Sequence, residues 1–187
     1  MPKIIIGLVG EVASGKDVTK KYLEVNYGAS CHRFSTILRD ILNRLYLPIV
    51  RENMQNISTL LRQQFGEDLL AKIITEDAKN DTHEIVVVDG IRRAADMVYL
   101  RKLPGFVLIS IEVEARLRYE RLVKRKENAD DASKTYEQFL LDGQKETEIQ
   151  IAEVMKGADY HLDNNGSLKD LYTQIEKIII DLEKKYV

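Results

Sequence analysis

Residues Gly10-Glu-Val-Ala-Ser-Gly15-Lys16-Asp17 follow the spacing G-x-x-x-x-G-K. The chemistry this spacing serves is anion capture. Its glycines let successive backbone N–H groups turn inward, a helix starting after the second glycine adds partial positive charge, and the lysine reaches the β- and γ-phosphates of a nucleotide. Gly10, Ala13, Ser14, Gly15, Lys16, Asp17 and Val18 are therefore the expected contacts to ATP. The residue after the lysine, commonly a Ser or Thr that ligates magnesium, is Asp17. A carboxylate is a more anionic oxygen ligand for Mg2+, and it repels phosphate when no metal is present. Asp89, at the end of an Ile-Val-Val-Val run, is the second acidic candidate, either beside the metal or as a base for an acceptor hydroxyl.

Transfer of a phosphoryl group depends mainly on positioning and charge stabilisation, so arginines should form the other half of such a site. Ser35 and Arg39 follow the second expected strand, Arg51 and Arg62 lie on inserted helices, and Arg92 directly follows Asp89-Gly90-Ile91. These residues are the expected acceptor contacts. Arg116, Arg118, Arg121, Lys124, Arg125 and Lys126 form a basic run that could close as a lid, with Arg121 and Arg125 over the transferring group. The same run also reads as a solvated helix laced with Glu–Arg pairs. His32, His83 and His161 lack metal-ligand spacing and are expected to be structural or exposed, and Cys31 is expected in the core.

The elements that must carry these residues alternate. Residues 3–9 are an Ile/Val-rich run of the kind found in a parallel strand buried on both faces. A helix over 16–25 and a strand over 29–34 complete a first βαβ unit. Apolar residues at helical spacing after position 37, then over 52–64 and 67–79, predict three helices before a third strand at 84–89. A fourth strand is expected over 106–113, each of these last two followed by a helix. The charged stretch 115–156 reads as helical with a break near 127–132, and a short fifth strand covers 159–163. Ser167 with Asp170 is the capping box of a last amphipathic helix. Such alternation implies a parallel α/β sheet with its ligand site at the carboxyl ends of the strands.

The 187-residue length suits one domain, and 28 Lys+Arg against 30 Asp+Glu leaves no global polycation for nucleic-acid or membrane-surface binding. Basic and aromatic residues are not interleaved in the manner that stacks nucleic acid. The single cysteine excludes an intrachain disulfide framework and fits a reducing, cytoplasmic compartment. No targeting or transmembrane segment is expected, and no motif indicates the oligomeric state.

Several short blocks together resemble the nucleoside monophosphate kinase-like branch of the P-loop kinases. They are Gly10 to Asp17, Phe34-Ser35 with Arg39-Asp40, Arg51-Glu52-Asn53, Val88-Asp89-Gly90-Ile91-Arg92, the Arg116 to Arg125 run, and Ala158-Asp159-Tyr160 with Asn164-Asn165-Gly166-Ser167. The last block is similar to that of dephospho-coenzyme A kinase, which implies that Asn165 lies near the adenine. The Gly-Lys-Asp loop is similar to those of phage-type deoxynucleoside monophosphate kinases and animal phosphomevalonate kinase, which implies that Asp17 is compatible with catalysis. The resemblance implies a single P-loop domain over 1–187, an α/β/α sandwich with a five-stranded parallel sheet. It also implies a helical acceptor-binding region at about 36–80 and a lid at about 116–135.

The expected activity is transfer of the γ-phosphoryl group of ATP, with Mg2+ at Asp17 and Asp89, to a nucleoside or deoxynucleoside monophosphate or similar small acceptor. Lys16, Asp89, Arg121 and Arg125 are the expected catalytic residues, with Asp40 as an alternative base. His32-Arg33-Phe34-Ser35 and Asp89-Gly90-Ile91-Arg92 depart from the dephospho-coenzyme A kinase pattern, although that enzyme remains an alternative. A non-catalytic ATP-binding sensor module and a motor or processing ATPase are the other readings.

Overall fold

A computed structural model describes residues 4–125, 134–144 and 146–186. Strand β1 (Ile4–Val9) leads into helix α1 (Lys16–Tyr27), then β2 (Ser30–Arg33), and helices α2 (Phe34–Arg44), α3 (Arg51–Phe65) and α4 (Leu69–Asn80) precede β3 (Ile85–Asp89). After β4 (Phe106–Glu112) come α5 (Ala115–Arg125), α6 (Tyr136–Asp142) and α7 (Glu146–Lys156), then β5 (Tyr160–Asp163) and α8 (Leu168–Tyr186). The five strands pair in parallel in the order β2-β3-β1-β4-β5.

All six residues of β1 are buried, as its uninterrupted apolar sequence requires. Its side chains alternate between two cores. Ile4, Ile6 and Leu8 pack with Leu23 of α1 and Leu171, Ile175, Ile179 and Leu182 of α8. Ile5 and Val9 pack with Ile74 and Ala78 of α4 and Ile151 and Val154 of α7. The sheet is therefore the middle of three layers, and Tyr22 stacks on Tyr172 with ring centroids 4.1 Å apart to join α1 to α8. Ser167 and Asp170 form the expected capping box, with Asp170 N donating to Ser167 Oγ at 3.2 Å and Ser167 N to Asp170 Oδ2 at 3.0 Å. No helix among the described residues is long and apolar enough to cross a membrane.

Two expectations need correction. Strand β3 is followed by two short 3-10 turns, Ala94–Met97 and Leu100–Lys102, where a full helix was expected. Asp96 causes the tightening: its buried carboxylate accepts from Arg92 N at 3.0 Å and Arg93 N at 3.1 Å, competing with helix propagation. Strand β2 is only four residues long, because Phe34, expected inside it, already begins α2. The expected break near 127–132 lies outside the described residues, as does much of the second half of the expected lid.

The histidines are structural, as expected. His161 Nδ1 bonds Ser110 Oγ at 2.7 Å between β5 and β4. At the opposite end of the sheet from the strand carboxyl termini, Asp81 gathers Ser30 Oγ (2.8 Å), His32 Nε2 (2.7 Å), His83 Nδ1 (2.7 Å) and His83 N (2.8 Å), tying edge strand β2 to the turn before β3. Burial opposes ionisation of Asp81, but the hydrogen bonds from His83, Ser30 and His32 outweigh it and hold the carboxyl well below the usual carboxylate range. A pKa depressed by folding adds stability above the unfolded value, about 3.9, and that stability fades as pH falls below it. Urea unfolding should accordingly show Asp81→Asn clearly less stable than wild type at pH 7. The gap should narrow steadily from pH 4 to pH 2.5; a constant gap would show that the carboxylate's charge is not what holds β2.

Candidate active site

The loop between β1 and α1 has the geometry of an anion cradle. Ala13 and Gly15 lie in the left-handed region, at φ 59° and 107°, and no side chain caps the start of α1. The amides there remain available to a ligand, at the positive end of the helix dipole. A Cβ on Gly15 would lie 2.3 Å from Asn164 Nδ2, the group that donates to Ser14 O at 2.8 Å. Glycine is thus required both by backbone conformation and by the approach of the β5–α8 loop. Lys16 Nζ curls back over the cradle, donating to Gly10 O at 2.6 Å and Glu11 O at 3.0 Å. Glu11 in turn holds the Arg118 guanidinium at 2.9 Å, which links the cradle to α5.

Beside the cradle lie the two acidic residues. Asp17 Oδ1 is 2.7 Å from Lys20 Nζ and 2.6 Å from Arg33 Nη2. Asp89 Oδ2 is 2.6 Å from the same ammonium and 2.9 Å from Arg33 Nε. Neither cation was singled out by motif, though both carried a signal. Lys20 is four residues after Lys16 and three after Asp17, so all three share a face of α1, and Arg33 ends β2 in register with Asp89. Two carboxylates are the right donor chemistry for Mg2+. Their facing oxygens are engaged by Lys20 and Arg33, and Arg125 Nη1 lies 3.8 Å from the second Asp17 oxygen, so a metal held here would have to share the carboxylates with these cations and complete its shell with phosphate oxygens and water.

A cleft of about 1050 Å³ opens from the cradle across the carboxyl ends of β1, β2 and β3. Its walls bring together Gly10, Ala13, Ser14, Gly15, Lys16, Asp17, Val18, Asp89, Arg121 and Arg125 with Ser35, Arg39, Arg62 and Arg92. Arg93, Asp96, Phe34, Met54 and Ser58 join them and were missed from the sequence. Three of the expected residues are placed elsewhere. Arg51 is exposed at the first position of α3, a turn before the stripe of Met54, Ser58 and Arg62 that faces the cleft. Asp40 is exposed and off the cleft wall. Asn165 bonds Asp163 Oδ1 at 2.6 Å and Glu114 N at 2.8 Å, holding two loops together, while its neighbour Asn164 is the residue that touches the cradle.

The basic run on α5 divides by face. Arg116 packs over the Tyr119 and Tyr136 rings, whereas Arg121 and Arg125 look into the cleft. Arg121 Nη2 donates to Asn164 O at 2.8 Å, and its Nη1 is buried without a hydrogen-bond partner among the described residues. Burial pushes the Arg121 pKa down, and burial together with Arg93 does the same to Arg62. A buried guanidinium on a residue lining a basic cleft is suited to an anionic oxygen such as those of a nucleotide triphosphate. Cys31 is half-buried, and burial pushes its thiol up to about 12, so it stays protonated and inert at neutral pH.

No protein-family model matches the chain. A shikimate kinase from Bacteroides thetaiotaomicron superposes with a TM-score of 0.62 at 13% identity, covering 96% of this chain and 98% of that one, and so shares the P-loop kinase fold. The chain is 31% identical over 184 residues to a UPF0200/UPF0201 protein of Archaeoglobus fulgidus, matching 96% of its own length and 56% of that protein's. A UPF0200 protein of Methanoregula boonei is 30% identical over 182 residues, 97% of this chain and 98% of the relative. Identity at that level across nearly the whole of both chains means that this protein belongs to the UPF0200 family.

Proposed function

We propose that the protein is an ATP- and magnesium-dependent kinase that transfers the γ-phosphoryl group to a nucleoside or deoxynucleoside monophosphate, or to a similarly small phosphorylated acceptor. One observation carries this reading: a single cleft is lined both by the phosphate cradle with Lys16 and by Arg39 of α2, Arg62 of α3 and Arg92 beyond β3. Two anions can be held facing each other there. In this reading α2 to α4 form the acceptor side, and α5 brings Arg121 and Arg125 over the donor phosphates.

The state of the carboxylates favours an anionic nucleophile. Asp17 and Asp89 are each bonded to Lys20 and Arg33, and Asp96 accepts from two backbone amides and Arg93. In each of them the oxygen facing those groups is already engaged. An acceptor phosphate oxygen is already ionised at neutral pH and needs no base, whereas a hydroxyl acceptor such as that of dephospho-coenzyme A would. In the transfer, a bond forms from that oxygen to the γ-phosphorus as the bond to the β–γ bridging oxygen breaks. Lys16 and the cradle amides hold the donor oxygens, and Arg121 and Arg125 offset the charge spread over the transferring group. Magnesium, held jointly by Asp17, Asp89 and the donor phosphates, would neutralise charge on the β- and γ-phosphates.

ADP release, measured with ATP and Mg2+ against a panel of nucleoside and deoxynucleoside monophosphates, dephospho-coenzyme A and phosphomevalonate, tests the assignment. One phosphorylated acceptor should stand out. Bound ATP with no ADP above the acceptor-free rate across the panel would leave the non-catalytic module instead. Lys16→Ala should lower kcat/KM about 100-fold or more with little change in melting temperature, and full activity in that variant would defeat the proposal. Arg39→Ala and Arg92→Ala should each raise KM for the acceptor roughly 10- to 100-fold, the worth of one charge-assisted hydrogen bond. KM for ATP should stay nearly unchanged in both.

A further inference from the structure

Lys20 is 4% exposed and lies under the phosphate cradle, and the phosphate chemistry described above gives it no task. A lysine is rarely buried unless paired. This one is paired twice, at 2.6 Å to Asp89 and 2.7 Å to Asp17. Arg33 spans the same two oxygens from the outer side, with its side chain 45% exposed. Two positive and two negative groups therefore alternate in a quartet, with Arg125 Nη1 3.8 Å from the second Asp17 oxygen at its edge, and the inner ammonium occupies the space between the carboxylates.

We propose that Lys20 acts as the resident cation of this acidic pair, so that the nucleotide-free protein excludes divalent metal and admits it only together with nucleotide phosphates. A dication approaching the facing oxygens of Asp17 and Asp89 meets the ammonium first. Displacing that ammonium would strand a buried, unpaired charge beside the arriving one. Phosphate oxygens change the balance, because they bring negative charge that both the metal and Lys20 can share. Lys20 is thus a positioning residue: it keeps both carboxylates aimed into the cleft and sets the order in which metal and nucleotide enter. The link to nucleotide rests on the proposed phosphate site, whereas metal exclusion rests on the quartet alone.

The test is Mn2+ titration of the nucleotide-free protein, with unbound Mn2+ read by electron paramagnetic resonance and folding followed by circular dichroism. Wild type should bind Mn2+ only weakly. Lys20→Met should bind at least tenfold more tightly, and adding Asp17→Asn should abolish that gain. Lys20→Arg, which restores the charge, should behave as wild type. Arg33→Gln removes the exposed cation of the quartet without leaving a buried hole, and should tighten Mn2+ binding to a smaller extent. It keeps the proposal testable if Lys20→Met does not fold. Tight Mn2+ binding by nucleotide-free wild type, or folded Lys20→Met and Arg33→Gln proteins with unchanged Mn2+ affinity, would overturn the proposal. A chain that failed to bind or turn over ATP would defeat the kinase reading and leave these titrations unaffected.

Discussion

Strand β1 is covered on both faces and paired along both edges, so it can meet a ligand only where it ends. That constraint positions the rest of the site. Its carboxyl end releases the chain at Gly10, α1 must begin at Lys16 to cover the Ile4, Ile6 and Leu8 face, and the intervening loop is drawn tight over the sheet edge. With β3 and β4 flanking β1, the chain leaves the sheet in opposite directions after β1 and β3. A crevice opens there, as it does at switch points of parallel sheets. Asp89 at the end of β3 and Arg33 at the end of β2 then reach the crevice by register alone.

The second constraint is electrostatic. The crevice concentrates arginines, yet its buried Asp89 is paired to the buried Lys20 behind it. Such charges persist in a low-dielectric setting only when paired with good geometry. Sharing two oxygens between two cations satisfies both carboxylates with few groups. Arg39, Arg62, Arg92, Arg121 and Arg125 stand on the walls where an incoming anion would meet them, Arg125 also lying 3.8 Å from Asp17 Oδ2 and Arg62 3.8 Å from Glu67. The lowered pKa of Arg62 reports burial and the neighbouring Arg93, and that of Arg121 reports burial.

What could be read in advance follows from what is local. The cradle, the five strands and the capping box at Ser167 depend on residues within a few positions of one another, and periodicity and spacing carry that information. The helix expected after β3 failed because Asp96 satisfies two backbone amides from its side chain, a competition that apolar spacing does not reveal. Arg51 and Arg39 look equivalent in sequence, but helix phase and the exposed turn before α3 take Arg51 off the cleft. Asn164 and Asn165 differ by one position, and backbone direction alone decides which enters the core. The Lys20–Asp89 pair spans 69 positions and depends on tertiary approach, so helical spacing can put Lys20 on the face of Lys16 and Asp17 but does not name Asp89 as its partner.

The cradle is held from outside by side chains of other elements. Asn164 fixes Ser14 through its carbonyl, Arg118 fixes Glu11, and Arg121 anchors to the Asn164 carbonyl, so both ends of the loop are tied to elements beyond β4. A cradle set in advance needs little reorganisation when charge arrives, which is where a preorganised site gains over water. Lys16 fits this logic. Two of its partners, Gly10 O and Glu11 O, are neutral carbonyls, and exchanging these for phosphate oxygens would replace neutral acceptors with charged ones. The ammonium is thus kept satisfied while it waits, and the stronger acceptor wins when it comes.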